Sequence, residues 1–127
     1  MSAMQRRKGA SHEREVVNIL KASGHACARN LDQVRDGGGD IPFGDWLIEC
    51  KRRATIAIYP WWDQIMEACF QDASHWTIMR AKEGGGQVKM PKPALVIRAD
   101  KRENLVVMRL QDFLELNQAA NPQKQEK

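Results

Sequence analysis

The sequence lacks three features: a long hydrophobic run, paired cysteines and a leader-like start. Its unbroken apolar stretches are short, so no segment is predicted to span a membrane. Met1–Lys8 is polar and basic with no apolar stretch behind it, which predicts no secretory signal. Three cysteines, an odd number without CxxC spacing, favour reduced thiols over a disulfide framework or a zinc site. Together these absences predict a cytoplasmic protein.

Basic residues are in modest excess over acidic ones. A chain of 127 residues suffices for one domain with one core. Its 20 Lys and Arg against 16 Asp and Glu give a net charge of +4, which favours an anionic partner such as nucleic acid. Two triple basic runs, Arg6-Arg7-Lys8 and Lys51-Arg52-Arg53, strengthen that interpretation. The alternative is that both runs are ordinary solvated charges.

Apolar periodicity and turn residues predict a single α/β domain, a sheet with helices packed on it, in the order αβββαβββα. An ordered core is expected at about residues 6–116, with flexible ends at 1–5 and 117–127. The predicted helices are Ser11–Ser23, Pro60–Ala73 and a short helix holding Leu110, Phe113 and Leu114; the predicted strands are Asp40–Phe43, Trp46–Arg52, Thr55–Tyr59, Trp76–Arg80, Ala94–Arg98 and Leu105–Arg109, with His25–Arg29 as a further short strand.

The Gly44-Asp45 turn predicts a β-hairpin and sets its register. In that register Asp40 lies opposite Glu49, with both side chains on one face of the sheet. Because alternate residues of a strand share a face, Lys51 is predicted to point the same way as Glu49. Two facing carboxylates repel each other, which calls for a cation between them. Taken alone, a Glu-x-Lys pair on a strand is usually a solvated face.

The first helix is predicted to supply a third carboxylate. Glu13, Val17 and Leu20 lie on one helical stripe, which places Glu13 on the core-facing side. Three carboxylates and a lysine suit a hard divalent cation such as Mg²⁺, which prefers oxygen ligands. Such an ion can polarise a phosphodiester, while Lys51 orients or deprotonates the water or offsets charge on phosphorus. The backbone carbonyl of Cys50 would also face the ion.

These residues resemble the signature of the PD-(D/E)XK nuclease superfamily, here Asp40 followed by Glu49-Cys50-Lys51. Gly39 stands where the signature has proline. Arg7–Glu15 resembles the opening helix of the archaeal Holliday junction resolvases of that superfamily, where a basic start with glycine leads to a catalytic glutamate. The resemblance covers about residues 6–72, and it also includes Gly24-His25-Ala26, Arg29 and the run Tyr59–Gln64, which is similar to phage-encoded relatives.

The resemblance implies a restriction-endonuclease-like fold, a mixed β-sheet flanked by helices, and Mg²⁺-dependent hydrolysis of DNA phosphodiester bonds, with Mn²⁺ as a substitute. It implies Asp40 and Glu49 as metal ligands and Lys51 as the group that positions water or stabilises the transition state. Glu13 would be a further acidic participant and Gln64 a supporting residue. A homodimer is implied if the substrate is a four-way junction, since two strands must be cut. A phage-encoded protein would act in the bacterial cytoplasm.

Phosphate contacts are predicted from the basic residues near the candidate site residues and around the glycine-rich loop Leu31–Gly39. They are Arg6, Arg7, Lys8, Arg29, Arg35, Arg52 and Arg53. Three functions follow as hypotheses: a structure-selective endonuclease that resolves Holliday junctions, a nicking or end-processing nuclease on branched or single-stranded DNA, and a non-catalytic DNA-binding module of the same fold.

Overall fold

The computed structural model describes residues 3–29 and 41–122 and has, in that part of the chain, the element order αββαββα. The predicted strands at Thr55–Tyr59 and Trp76–Arg80 are wrong, so the predicted order αβββαβββα is corrected. In chain order the elements are α1 (Ala3–Ala22), β1 (Ile41–Phe43), β2 (Trp46–Arg53), α2 (Ile58–Ala81), β3 (Lys92–Ala99), β4 (Leu105–Val107) and α3 (Leu110–Ala120).

The described strands form one mixed sheet in the order β1-β2-β3-β4. β1 and β2 are antiparallel, β2 and β3 are parallel, and β3 and β4 are antiparallel. The parallel pair needs a long crossover, and α2 supplies it. The result is a single small α/β domain whose two central strands, β2 and β3, are flanked on both sides.

The hairpin register agrees with the prediction made from the Gly44-Asp45 turn. Ile41 faces Ile48 and Phe43 faces Trp46. Gly44 has φ +59°, a left-handed conformation that favours glycine over residues with a Cβ. The turn therefore determines which residues of β1 lie opposite which residues of β2.

Helices cover both faces of the sheet, so β2 and β3 bury side chains on both sides. On the face of α1, the buried set is Val16, Val17, Ile41, Ile48, Cys50, Ala94 and Val96. On the face of α2, it is Leu47, Trp61, Ile65, Ala68, Cys69, Leu95 and Ile97. Each fully buried aliphatic side chain stabilises the fold by about 1.5–3 kcal/mol. Alternation along β2 thus sends Ile48 to α1 and Leu47 to α2.

α1 begins eight positions before the predicted Ser11 and ends one position before the predicted Ser23. Its end matches the expected stop: Gly24 has φ +94°, and the His25 amide donates to the Leu20 carbonyl at 3.1 Å. His25–Arg29 forms neither a helix nor a strand, so the strand predicted there is wrong. The segment is held by its side chains instead, since the His25 ring lies edge-on to Phe43 with centroids 5.0 Å apart.

α2 is longer than predicted at both ends. It begins two residues before Pro60, which is tolerated there because the first amides of a helix have no partner within the helix. It continues through Trp76 and Ile78, both exposed, whose β-prone apolar character suggested a strand. Trp61 lies in the buried stripe of this helix, and the partly buried Trp62 packs against the same cluster.

α3 was predicted, and its apolar residues lie on the surface. Leu110 is 71% exposed, and Phe113 and Leu114 are exposed as well. The helix continues to Ala120, so regular structure extends beyond residue 116, as it also does before residue 6. Within the described ranges, no helix combines the length and the apolar character needed to cross a membrane.

Candidate active site

β2 carries two ionisable side chains into a mostly apolar part of the sheet. Lys51 Nζ lies 3.6 Å from Glu49 Oε2, and only 14% of each side chain is exposed. The prediction that the two share a face is confirmed. At 3.6 Å the contact is an ion pair rather than a close hydrogen bond.

Glu13 of α1 is the second buried carboxylate. The residue is 8% exposed, which confirms the predicted core-facing position. Arg29 Nε donates to Glu13 Oε1 at 2.7 Å. Arg29 lies close to α1 because the segment before it is held there: Cys27 packs against the buried side chains on the α1 face of the sheet.

The electrostatic balance at Glu49 is unfavourable to its charged form. Burial raises the pKa of Glu49 above its ordinary value of 4.5, because low-dielectric surroundings disfavour the ionised carboxylate. Lys51 acts in the opposite direction and lowers the pKa, without cancelling the effect of burial. The Glu13 carboxylate raises the pKa of Glu49 further, so the two acids lie within electrostatic reach. By alternation Glu49 and Lys51 lie on the face of β2 that carries Leu47, while Glu13 and Arg29 meet at α1, and the electrostatic effect on Glu49 is what links the two pairs. We call Glu13, Arg29, Glu49 and Lys51 the Glu49 cluster.

The donor chemistry of the Glu49 cluster fits a hard divalent cation. Glu13 and Glu49 offer carboxylate oxygens, and Mg²⁺ is often held by one or two carboxylates together with water and substrate phosphate. Within residues 3–29 and 41–122, no group of three or more His, Cys, Asp or Glu side chains is placed to hold a metal ion. Asp40, the other predicted ligand, lies outside the described residues, directly before Ile41 in the sequence. The roles of Asp40 and of the Cys50 backbone carbonyl stay predictions.

The predicted phosphate-binding residues fall into different surroundings. Lys8 Nζ lies 2.8 Å from Asp100 Oδ2, and Arg52 Nε lies 3.4 Å from Asp100 Oδ1, so one carboxylate holds both cations. Arg53 donates to the Arg52 carbonyl at 3.0 Å, and Arg7 is exposed. Arg29 contacts Glu13. The side chain of Arg6 and the whole of Arg35 lie outside the described part of the chain.

Gln64, the predicted supporting residue, is exposed on α2. No hydrogen bond links its amide to another group in the described ranges. Its role at the site stays a prediction.

A second polar cluster, which the sequence did not reveal, joins α1 to the connection between β3 and β4. Glu15 Oε1 accepts from Arg98 and Glu15 Oε2 accepts from the Asn104 amide, each at 2.7 Å. Because that amide nitrogen faces a carboxylate, the Asn104 oxygen is directed at His12 Nε2, which lies 2.7 Å away and therefore donates. His12 is fully buried. We call His12, Glu15, Arg98 and Asn104 the Glu15 network.

Thiol chemistry is disfavoured at the most buried cysteine. Burial raises the pKa of Cys69 to about 11, so its thiol is protonated at neutral pH and unreactive. Cys69 is therefore not a candidate nucleophile. Comparison of the chain with known protein families, with curated proteins and with solved structures found no match.

Proposed function

We propose that the protein is a divalent-metal-dependent endonuclease that hydrolyses phosphodiester bonds of branched DNA, with four-way junctions as its substrate. The observation that supports this most is the buried Glu49, whose pKa is raised although Lys51 lies 3.6 Å away. Carboxylates with a pKa perturbed in this way are enriched at functional sites.

The roles of the residues follow from their chemistry. Glu13 and Glu49, with Asp40, would hold Mg²⁺, and Mn²⁺ would substitute for it. When bound, the ion supplies Lewis-acid polarisation of the phosphodiester and activates water. Lys51 Nζ, on the same face as Glu49, would orient the attacking water or offset charge on phosphorus.

The resemblance to the PD-(D/E)XK superfamily supports the same proposal. Glu49-Cys50-Lys51 lies on a central strand of a mixed sheet flanked by helices, as that resemblance leads us to expect. A restriction-endonuclease-like arrangement of this sheet is part of the proposal.

A second copy of the chain is the partner we propose for α3. Two incisions in a junction need two active sites, and α3 exposes the apolar stripe Leu110, Phe113 and Leu114. Exposed apolar stripes of this kind are typical of association surfaces. Sedimentation should show a dimer, and the double variant Leu110→Ser/Phe113→Ser should sediment as a monomer. A wild type that is monomeric at every concentration would rule out this role of α3.

Cleavage of a labelled four-way junction tests the activity, with matched linear duplex and single strand alongside, in Mg²⁺ and in EDTA. We expect paired nicks on the junction only, lost in EDTA and in Glu49→Ala, while Glu49→Ala still binds DNA. Equal cutting of all three substrates would support nuclease activity but refute the proposal that four-way junctions are the preferred substrate. Cleavage by Glu49→Ala at the wild-type rate would refute the proposal.

A non-catalytic DNA-binding module is the second candidate. It is favoured by one observation, that residues 3–29 and 41–122 bring together no group of three metal-ligating acids, histidines or cysteines. A wild type that binds DNA tightly but cuts no substrate with any divalent metal would favour this module.

A further inference from the structure

A positively charged groove of about 340 Å³ lies beside α1. Its lining residues are Arg14, Val17, Asn18, Lys21, Ala28 and Arg29, of which three are cations and none is acidic. We propose that this groove binds the sugar-phosphate backbone of the DNA strand that enters the candidate active site. The inference rests on the proposed function and assigns the strand a path.

The helix arranges the polar groups of the groove in one line. Arg14, Asn18 and Lys21 stand at positions i, i+4 and i+7, which share a face. Arg14 and Lys21 are about 10 Å apart along the axis at 1.5 Å per residue, and a DNA strand rises 3.4 Å per nucleotide. The stripe is therefore long enough to contact more than one phosphate of one strand.

These cations differ from basic residues that have an acidic partner. No acidic residue stands three or four positions from Arg14 or Lys21, so neither belongs to a ladder of ion pairs along the helix. By contrast, Lys8 and Arg52 are held by Asp100. Arg14 and Lys21 are exposed and form no ion pair with another described residue, which leaves their charge available to an anion.

Arg29 connects the groove to the carboxylates. Its Nε donates to Glu13, while its terminal nitrogens have no partner among the described residues. A guanidinium suits this double role, because its donors are fixed in a plane and match phosphate oxygens. A strand that follows the groove past Lys21 and Arg14 is thereby led to Glu13.

The test compares two double variants that each remove two positive charges. Arg14→Gln/Lys21→Gln removes the stripe, while Lys82→Gln/Lys89→Gln removes two exposed cations near the end of α2 and in the segment after it. Glutamine keeps most of the apolar stem, so packing by that stem is retained. Fluorescence anisotropy would measure the binding of labelled single strand, duplex and junction in EDTA across a salt series, with thermal unfolding to verify that both variants are folded.

We expect the groove variant to bind all three DNA forms more weakly, because a phosphate contact does not depend on sequence or branching. The slope of log K against log salt should fall by about 2, roughly 1 for each cation that no longer neutralises a phosphate. The control variant should retain the wild-type slope. A groove variant with the wild-type slope would overturn the inference, even if the wild type cuts junctions. Weakened binding together with a wild type that cuts nothing would support the groove and refute the nuclease.

Discussion

Two glutamates two positions apart in α1 take part in clusters of opposite character. In the Glu15 network, both oxygens of Glu15 accept hydrogen bonds of 2.7 Å, and the adjoining Asn104 accepts from His12 Nε2 at the same distance, while the buried His12 Nδ1 has no hydrogen-bond partner among the described residues. In the Glu49 cluster, Glu13 has a close partner in Arg29, yet it also raises the pKa of Glu49, whose nearest cation stays 3.6 Å away.

We infer from this difference that Glu15 stabilises the fold, whereas the buried Glu49 carboxylate destabilises it in the absence of a ligand. A carboxylate whose two oxygens each accept a hydrogen bond adds stability, since these bonds replace part of its lost hydration. A buried carboxylate left short of donors lowers stability unless a ligand compensates. We therefore expect substitutions in the Glu15 network to change stability and substitutions in the Glu49 cluster to change activity.

The largest expected effect is on cleavage. Glu49→Gln should abolish junction cleavage, because it removes one of the carboxylates that would hold the metal ion. Glu15→Gln should keep the wild-type rate per folded molecule. Single-turnover rates in Mg²⁺ would measure both, and similar losses in the two variants would erase the contrast between the clusters.

The next effect is on stability. Asn104→Ala should lower the free energy of unfolding by about 1–3 kcal/mol, because it leaves His12 Nε2 buried without an acceptor. Urea unfolding measures this, with Asn18→Ala as the exposed control that should stay within about 0.5 kcal/mol of the wild type. Equal stability of Asn104→Ala and the control would show that the network contributes nothing.

A smaller effect, on the pH dependence of stability, should have opposite signs in the two clusters. The folded state holds the Glu49 proton to a higher pH than the unfolded state does, since the pKa of Glu49 is raised from 4.5. The unfolding free energy of the wild type should therefore fall as pH rises above 4.5 towards the raised pKa. Glu49→Gln should lack that fall and be more stable than the wild type at neutral pH, whereas Glu15→Gln should be less stable. A destabilised Glu49→Gln would contradict the inference that the Glu49 carboxylate destabilises the fold.

The smallest effect concerns Asp100, which lies between Lys8 and Arg52. The hydrogen bond from Lys8 is the main cause that lowers the pKa of Asp100 below 3.8. Its contribution to stability is present above pH 3.8 and is lost as pH falls through the lowered pKa. Asp100→Asn should be slightly less stable than the wild type at neutral pH and lose less stability in acid. Acid titrations followed by circular dichroism would detect the difference, and superimposable curves would rule it out.

Local patterns predicted the parts of the site that depend on local geometry. The turn at Gly44 set the hairpin register, strand alternation put Lys51 beside Glu49, and the helical stripe placed Glu13 at the core. The Glu15 network escaped prediction because its partners are far apart in sequence: Arg98 is 83 residues and Asn104 is 89 residues from Glu15. Contacts between residues so far apart in the sequence leave no periodic pattern from which they could be predicted.

The wrong prediction of a strand near the end of α2 has a related cause. The run Trp76–Arg80 is short and apolar, and such a run has no periodicity that distinguishes a strand from the end of a helix. Extension of an existing helix adds one hydrogen bond for each residue fixed, so α2 continues through it. The apolar residues of α3 predicted a helix correctly, but whether they pack inside the chain or against a second copy depends on contacts the pattern does not contain.

Titration calorimetry with Mn²⁺ in the absence of DNA would measure whether Glu49 is a metal ligand. It should be run on the wild type, Glu49→Gln and Glu15→Gln. The wild type and Glu15→Gln should bind the ion, and Glu49→Gln should lose this binding. Undiminished binding in Glu49→Gln, or no binding by a wild type that still holds DNA tightly, would contradict the claim that the Glu49 cluster is a metal-dependent nuclease site.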